Sequence, residues 1–352
     1  MPPAPAFGQV AIEKGYLTEE KLADALRLQK KLKEMGLRET LGEILVKKGY
    51  LTRDQIHEIL RVQGTRSGTL VPGYDLLEKL GAGGMGSVFK ARQVSMDRLV
   101  AIKILAPHYA AQPEYRERFL REGRMAARLN HPNVVAAYDV GSNGSNYYLV
   151  MEFVDGTSLQ DRIRKEGRIG QAEALEYWIQ IGRALDHAGK SGLIHRDVKP
   201  ANILVEASGR AKLADLGLAR PVDDQDAELT DDGTALGTPF YISPEQARGV
   251  RDLDIRTDIY SLGASFYHVL TGKPVFDGPS AAVILTRHLR DVPVPPETVC
   301  PDLAPELSRI ALRCLVKERE GRFASPARLI EALESARRSM SGEGEQPPPP
   351  SY

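Results

Sequence analysis

Between Leu193-Ile194 and Ile203-Leu204-Val205 the chain sets an acid, a cation and an amide in one short polar run, His195-Arg196-Asp197-Val198-Lys199-Pro200-Ala201-Asn202. The flanks read as short buried strands, and the polar residues as a loop held by those two anchors. The combination suits phosphoryl transfer: Asp197 to accept a hydroxyl proton, Lys199 to steady phosphate charge and Asn202 to hold a metal. A polar hairpin carrying a solvated Asp is the competing reading. What decides between them is whether phosphate-handling residues accompany the loop elsewhere in the chain.

They do, in order. Tyr74 to Leu80 is strand-like and runs into Gly81-Ala82-Gly83-Gly84-Met85-Gly86-Ser87-Val88, where glycines let backbone N–H groups approach phosphate oxygens. A dinucleotide fingerprint would need a helix immediately afterwards. Val88-Phe89-Lys90-Ala91 is β-prone instead, so the glycines join two strands. Leu99 to Leu105 reads as a third strand with Lys103 as its one cation. A buried Lys needs an anion, whereas a solvated one would not. A helix follows over Tyr115 to Leu129, carrying Glu117 and Glu122, and His131-Pro132-Asn133 closes it, with His131 in a structural role. Tyr147 to Met151 is strand-like and leads into Glu152-Phe153-Val154-Asp155-Gly156. Leu175 to Ala188 has Leu175, Trp178, Ile179 and Leu185 at helical spacing for burial. Ala211 to Ala214 is a short strand ending at Asp215-Leu216-Gly217. Asp215 and Asn202 together supply oxygen ligands suited to magnesium. Ala219 to Leu236, with Asp223, Asp224, Asp226, Glu228, Asp231 and Asp232, reads as a mobile acidic loop. Asp258 to Leu270 is a largely apolar helix.

The N-terminal segment is an internal repeat. Gly15-Tyr16-Leu17-Thr18 recurs 34 residues later as Gly49-Tyr50-Leu51-Thr52, and Leu26-Arg27 and Gln29 recur as Leu60-Arg61 and Gln63. Each copy, 7–29 and 41–63, reads as helix, turn, helix. Phe7, Val10 and Ala11, matched by Leu41, Ile44 and Leu45, form one apolar face. Leu22, Ala25 and Leu26, matched by Ile56, Ile59 and Leu60, form the other. Gly15 and Gly49 sit where left-handed caps would end the first helices, and Thr52 with Gln55 makes a capping box for a second one. A small all-α module over 1–63 is expected, with Lys30 to Thr40 as a long spacer between the copies and 64–73 as a linker.

The stretches after the linker, taken together, resemble the protein kinases. Asn130-His131-Pro132-Asn133 and Ser243-Pro244-Glu245-Gln246-Ala247 place the resemblance with the bacterial eukaryotic-like (Hanks-type) serine/threonine kinases. It covers Tyr74 to Ala336 and implies an α+β bilobal fold: an antiparallel β-sheet lobe over 74–154, a helical lobe over 155–336 and ATP between them. It also implies residue roles. Lys103 would meet the ATP phosphates and Glu122, with Glu117 the lesser partner. Leu80 to Val88 would cover ATP. Met151 would be the gatekeeper, the backbone of Glu152 and Val154 would meet the adenine edge, and Val88, Ala101 and Leu204 would sandwich its faces. Each of these apolar residues could equally be ordinary core. Asp197 would be the base, and Asn202 and Asp215 the metal ligands, Asp215 in a D-F-G motif with Leu216 for Phe. Ser243 stands in the docking segment where the family pattern has Ala. Lys199 with Thr238 implies Ser/Thr specificity. Arg196 would pair with a phosphate on Thr230 or Thr234. Asp258 would bond the catalytic-loop backbone, and Arg322 would be the buried partner of Glu245.

The repeat resembles the N-terminal domain of type II secretion and pilus-assembly ATPases, some of which bind cyclic di-GMP through an Arg before Leu-Gly. Here Ala6 and Thr40 stand nearest that place. Without the bidentate Arg, a docking or regulatory module is expected over a nucleotide site.

Composition bounds the partners. Lys plus Arg and Asp plus Glu each number 47, so nothing global favours nucleic acid. Cys300 and Cys314 have neither metal-like nor disulfide spacing, and no apolar run is long enough to span a bilayer. The expected location is cytoplasmic, with residues 337–352 a Pro-rich disordered tail. The expected partners are a Ser/Thr-bearing protein, a partner or self-docking through the repeat, and a transient second copy for autophosphorylation. The rival reading is a nucleotide-binding scaffold, or a sensor in which the repeat docks a partner or a cyclic dinucleotide.

Overall fold

A central strand buried on both faces organises the first lobe. The structure, a computed structural model, describes residues 7–34, 41–52, 55–56, 58–59, 70–83, 85–215 and 239–341. The chain divides into two units, 1–75 and 76–352, taken separately here.

In the second unit, β1 (Tyr74–Gly83), β2 (Gly86–Gln93), β3 (Arg98–Leu105), β4 (Ala137–Asn143) and β5 (Asn146–Glu152) form a sheet of order β1-β2-β3-β5-β4. β3 is its buried centre: Val100 and Ile102 are fully buried, and Lys103 is only 8% exposed. Antiparallel register pairs Val88 with Lys103 and Lys103 with Leu149. Two residues along, it pairs Lys90 with Ala101 and Ala101 with Met151. Paired residues share a face, as do residues two apart, so Val88, Ala101, Lys103 and Met151 all project to one side. The helix expected over 115–129 runs Pro113–Ala126 and packs Phe119 into that side's cluster; it is α5, after α4 (Pro107–Ala110).

The second lobe is built on α6 (Leu159–Glu166), α7 (Gln171–Lys190), α8 (Pro244–Ala247) and α9 (Arg256–Thr271). These are followed by α10 (Ala281–Arg290), α11 (Pro296–Val299), α12 (Pro305–Cys314) and α13 (Pro326–Ser341). Every residue of α9 from Thr257 to Thr271 is buried, and Trp178 of α7 stacks on Phe266 at 5.0 Å between ring centroids. Leu175, Trp178, Ile179 and Leu185 lie in this core as expected. A small sheet, β6 (Gly156–Ser158), β7 (Ile203–Glu206) and β8 (Ala211–Leu213), sits where the polar loop emerges.

In the first unit, α1 (Phe7–Glu13), α2 (Glu19–Glu34) and α3 (Leu41–Lys47) precede helical residues at 55–59. Gly15 and Gly49 adopt left-handed φ of 71° and 68°, and Thr52 and Gln55 bond reciprocally, as the pattern requires. One apolar cluster joins both copies through Val10, Ala11, Ala25, Ile44, Leu45 and Ile59.

Four expectations need correction. Leu193-Ile194 is not a strand and is only half-buried; the Leu193 N–H bonds back to the Ala188 carbonyl near the end of α7 instead. Leu26 is 45% exposed, because Leu22, Ala25 and then Leu28 and Leu32 form the inward stripe and Leu26 lies one residue round the helix from it. The spacer is shorter than expected, since α2 continues to Glu34. At the other end α13 continues to Ser341, into the expected tail. Leu60 and most of the expected linker lie outside the described residues.

Candidate active site

The polar loop is fixed from beneath by one carboxylate. Asp258, fully buried on α9, accepts the His195 N–H on Oδ2 and the Arg196 N–H on Oδ1, both at 2.7 Å. Burial pushes this carboxyl above its ordinary value, against the pull of the two backbone bonds and the Arg196 charge. The grip holds Arg196 at a φ of 66°, a left-handed conformation that costs a non-glycine residue about 1–3 kcal/mol. Ser265 of α9 adds a bond to the Val198 carbonyl at 3.3 Å. Thus α9 does the anchoring that a first flanking strand was expected to do.

The loop then arranges its own chemistry. Lys199 Nζ donates to Asp197 Oδ2 at 2.7 Å. Asn202 Nδ2 donates to the Asp197 carbonyl at 2.8 Å and to its Oδ2 at 3.1 Å. His195 had no role in the sequence reading beyond its place in the loop. Its Nδ1 accepts from the Asp197 N–H at 3.3 Å, and its Nε2 lies 3.0 Å from the Ala214 carbonyl. That network assigns the neutral tautomer protonated on Nε2. Ala214 N–H also donates to the Asn202 carbonyl at 2.8 Å. Asp215, the next residue, is thereby delivered to the loop at a φ of 53°.

Lys103 completes the group. Its ammonium pairs with Asp215 Oδ1 at 2.7 Å, with the lysine side chain 10% exposed. Burial alone would raise the Asp215 carboxyl, but the charge and hydrogen bond of Lys103, with the charge of Lys199, hold it below the ordinary carboxylate value. The sequence demanded an anion for Lys103 and named phosphates and Glu122; the ion pair to Asp215 was not foreseen. Glu122 is half-buried on α5, whereas Glu117 is exposed.

The apolar residues assigned to the adenine faces are gathered. Ala101 and Met151 belong to one cluster, with Val88, Val154 and Leu204 packed against it. Glu152 N–H is committed to the Ala136 carbonyl at 2.8 Å. Its side chain holds Lys212 of β8 at 2.9 Å. Of the glycine stretch, Leu80, Gly81, Ala82 and Gly83 form the exposed end of β1, longer than expected, while Met85, Gly86 and Ser87 are half-buried. A side chain on Gly81 or Gly83 would meet open space, room that a ligand can use. At Gly86, with φ of 149°, a side chain would collide with the Ile104 carbonyl, so that glycine is required by the sheet itself. Gly84, Thr230, Thr234 and Thr238 lie outside the described residues.

The docking segment is tied to the same loop. Ser243, where the family pattern has Ala, caps α8 in a reciprocal capping box with Gln246. Gln246 Nε2 then donates to the Arg196 carbonyl at 2.8 Å, a link no motif announced. Beneath it, Arg322 grips Glu245 through two bonds of 2.7 and 2.8 Å, with 0% and 4% of the side chains exposed. The guanidinium of Arg196 is the loose end: its Nε is buried and makes no hydrogen bond among the described residues.

Two acids, two cations and a carboxamide thus converge beside a sheet whose first two strands carry the glycines, which is the arrangement of the bilobal phosphotransferases. The protein kinase domain family matches residues 74–332, and the chain belongs to that family. It is 42% identical over 260 residues to the serine/threonine-protein kinase PknB of Mycolicibacterium smegmatis, covering 73% of this chain and 41% of that protein. A probable serine/threonine-protein kinase of Streptomyces coelicolor, SCO3848, is 39% identical over 256 residues, 72% of this chain and 38% of its own. The chain therefore spans about two fifths of the length of these curated relatives. Among solved structures, the Mycobacterium tuberculosis PknI kinase domain superposes with a TM-score of 0.61 at 31% identity, covering 75% of this chain and 95% of that one. Rad53 in complex with AMP-PNP has a TM-score of 0.63 at 24% identity, a likeness of fold. Among the described residues, no helix is long and apolar enough to cross a membrane.

Proposed function

We propose that the chain transfers the γ-phosphoryl group of ATP to serine or threonine hydroxyls of proteins. The observation that carries this reading is the junction at Ala214, where one residue's two backbone bonds bring Asp215 and its partner Lys103 against the loop bearing Asp197, Lys199 and Asn202. Asp197 is placed to orient the acceptor hydroxyl and take its proton, and Lys199 to balance charge on the moving phosphoryl. Lys103 anchors the nucleotide phosphates, with Glu122 steadying it. The Val88, Ala101 and Leu204 side chains enclose the adenine, Met151 bounds its pocket, and Glu152 and Val154 read its edge.

The residues fit magnesium. Asn202 has committed its amide nitrogen to Asp197, leaving its oxygen as the group it can offer, and Asp215 contributes a second hard oxygen. Among the described residues no cluster of three or more His, Cys, Asp or Glu exists, which suits an ion completed by phosphates and water. Bound there, the metal would neutralise phosphate charge.

Lys199 with Thr238 supports Ser/Thr acceptors, and the Arg196 Nε, buried and without a hydrogen bond among the described residues, supports control by a phosphate on Thr230, placed by a second copy. Thr230 lies far enough before Gly237 to reach back to the loop, whereas Thr234 adjoins the docking segment. The test is magnesium–ATP with a generic protein substrate, followed by phosphosite mapping and comparison of Thr230→Ala with Thr234→Ala. Phosphoserine or phosphothreonine is expected, with activation lost only in Thr230→Ala. Phosphate on neither residue type would reject the activity, and full activation of Thr230→Ala would reject the switch.

The repeat supports a second role, as a docking or regulatory module related to that of the secretion ATPases. The two copies share one apolar cluster and the repeating glycine caps. Ala6 and Thr40 argue against cyclic di-GMP.

A further inference from the structure

Of all serines and threonines in the 352 residues, two are followed directly by a pair of acids: Thr230 in Leu229-Thr230-Asp231-Asp232 and Thr18 in Leu17-Thr18-Glu19-Glu20. The first is the proposed activation site, outside the described residues. The second lies in the N-terminal unit, exposed, at the start of the sixteen-residue helix α2. We propose that Thr18 is a phosphoacceptor of this kinase, written in the same local code as Thr230. The inference rests on the kinase activity proposed above. Whatever in the enzyme reads the acids after Thr230 would meet them again after Thr18.

The repeat contains its own control. Thr52 is the equivalent of Thr18, also preceded by Leu and also exposed. It is followed by Arg53-Asp54, not by two acids. Its hydroxyl is moreover engaged in the box in which Gln55 N–H donates to Thr52 Oγ1 at 3.2 Å and Thr52 N–H to Gln55 Oε1 at 2.9 Å. Thr18 accepts one bond of 3.4 Å, from the Lys21 N–H. The code separates the two positions, and the reciprocal box holds Thr52 by two bonds where Thr18 has one of these.

The transfer breaks the bond from the γ-phosphorus to its bridging oxygen and forms one from that phosphorus to Thr18 Oγ1. ADP leaves with the bridging oxygen, and the hydroxyl proton passes to Asp197 and on to water. Leu17, beside the acceptor, is only 4% exposed, so modification draws on a locally opened first turn.

The phosphate would land in a built arrangement. Lys14 and Tyr16 of the first copy hold Glu58 of the second at 2.7 and 2.5 Å. Lys48 and Tyr50 of the second hold Asp24 of the first at 2.5 and 2.8 Å. All are equivalent positions, 34 residues apart, so the copies clamp each other reciprocally. Lys21, one turn beyond Thr18, has its ammonium 5.5 Å from the Tyr50 ring centroid. A phosphate at the N-terminus of α2 is favoured by the helix dipole and attracts Lys21 away from Tyr50, altering one clamp and not the other.

The experiment incubates the full chain with magnesium–ATP and a generic protein substrate, then quantifies phosphate at Thr18, Thr52 and Thr230 by tandem mass spectrometry. Thr18 and Thr230 are expected to be modified and Thr52 not, with an Asp197→Asn chain incubated alone unmodified. Glu19→Gln with Glu20→Gln should lower Thr18 modification several-fold without changing turnover of the generic substrate, and Arg53→Glu should confer modification on Thr52. Transfer to the generic substrate with Thr18 bare, or Thr18 modification indifferent to its acids, would overturn the inference and leave the activity standing. No transfer to any acceptor would overturn both.

Discussion

Lys103 shows how far single residues can be argued from sequence. A lone cation in an apolar strand has to meet an anion, and it does; only the identity of that anion, Asp215 at 2.7 Å, needed the fold, because 112 residues separate them. Removing the ammonium leaves the half-buried Asp215 without its main counter-charge. Lys103→Met should therefore lower kcat/KM for ATP by about 10²–10³-fold, the scale of losing one preorganised charge contact, with the helical circular dichroism unchanged. Unaltered kinetics would move the phosphate anchor to another residue. His195 was harder to read. Its task is to bridge Asp197 to Ala214, and no spacing rule encodes a neutral imidazole joining two segments 19 residues apart.

Elements were legible where burial is periodic, and less so where a side chain replaces a backbone ladder. β3 and α7 follow their apolar patterns closely. Leu193-Ile194 looks like a strand because it is apolar, but the Leu193 N–H bonds back to the Ala188 carbonyl of α7, and Asp258 takes the next two N–H groups, those of His195 and Arg196. The short helix α8 is held from below by Glu245 and Arg322. Arg322 also donates to the carbonyls of Val316, Arg256 and Lys317 at 2.8, 2.9 and 2.8 Å. Arg322→Met would strand a buried carboxylate, at a cost of about 3–5 kcal/mol, read as a lower midpoint in urea. A midpoint within error of the wild type would show the pair to be dispensable. The pair also sets a pH dependence. Burial acts to raise the Glu245 carboxyl, but Arg322 and Thr257 hold it below 4.5, so the unfolded chain binds this proton more readily than the folded one. Its contribution is present above pH 4.5 and is lost as pH falls through the lower folded value. Glu245→Gln should flatten that acid limb of the stability curve; an identical limb would remove Glu245 as its source.

At the scale of the whole molecule, order along the chain carried most of the information. The motifs from Gly81 to Glu245 appear in the sequence in which the two lobes present them, and the site was legible because each motif lies in a short segment. What was not legible is how the segments are stitched: Ala214 to the loop, Gln246 to Arg196, and the reciprocal clamps between the repeats, all contacts between distant residues. The repeat has its own apolar cluster and its own cross-copy bonds, so residues 1 to 66 expressed alone should be helical by circular dichroism and melt cooperatively. A random-coil spectrum would contradict an independent unit. Titration of that fragment with cyclic di-GMP should show weak or no binding, and submicromolar affinity would restore the ligand that Ala6 and Thr40 argue against.

The central claim is that Asp197 takes the acceptor proton in a cleft that binds ATP without its help. The most direct measurement compares wild type with Asp197→Asn for two quantities, ATP affinity and the single-turnover rate of transfer to a protein substrate. The amide keeps the size of the side chain but cannot accept the proton. Transfer should fall by about 10²–10⁴-fold, the usual contribution of a positioned base, while ATP affinity stays within a few-fold of wild type. Wild-type turnover in Asp197→Asn would contradict the assignment outright.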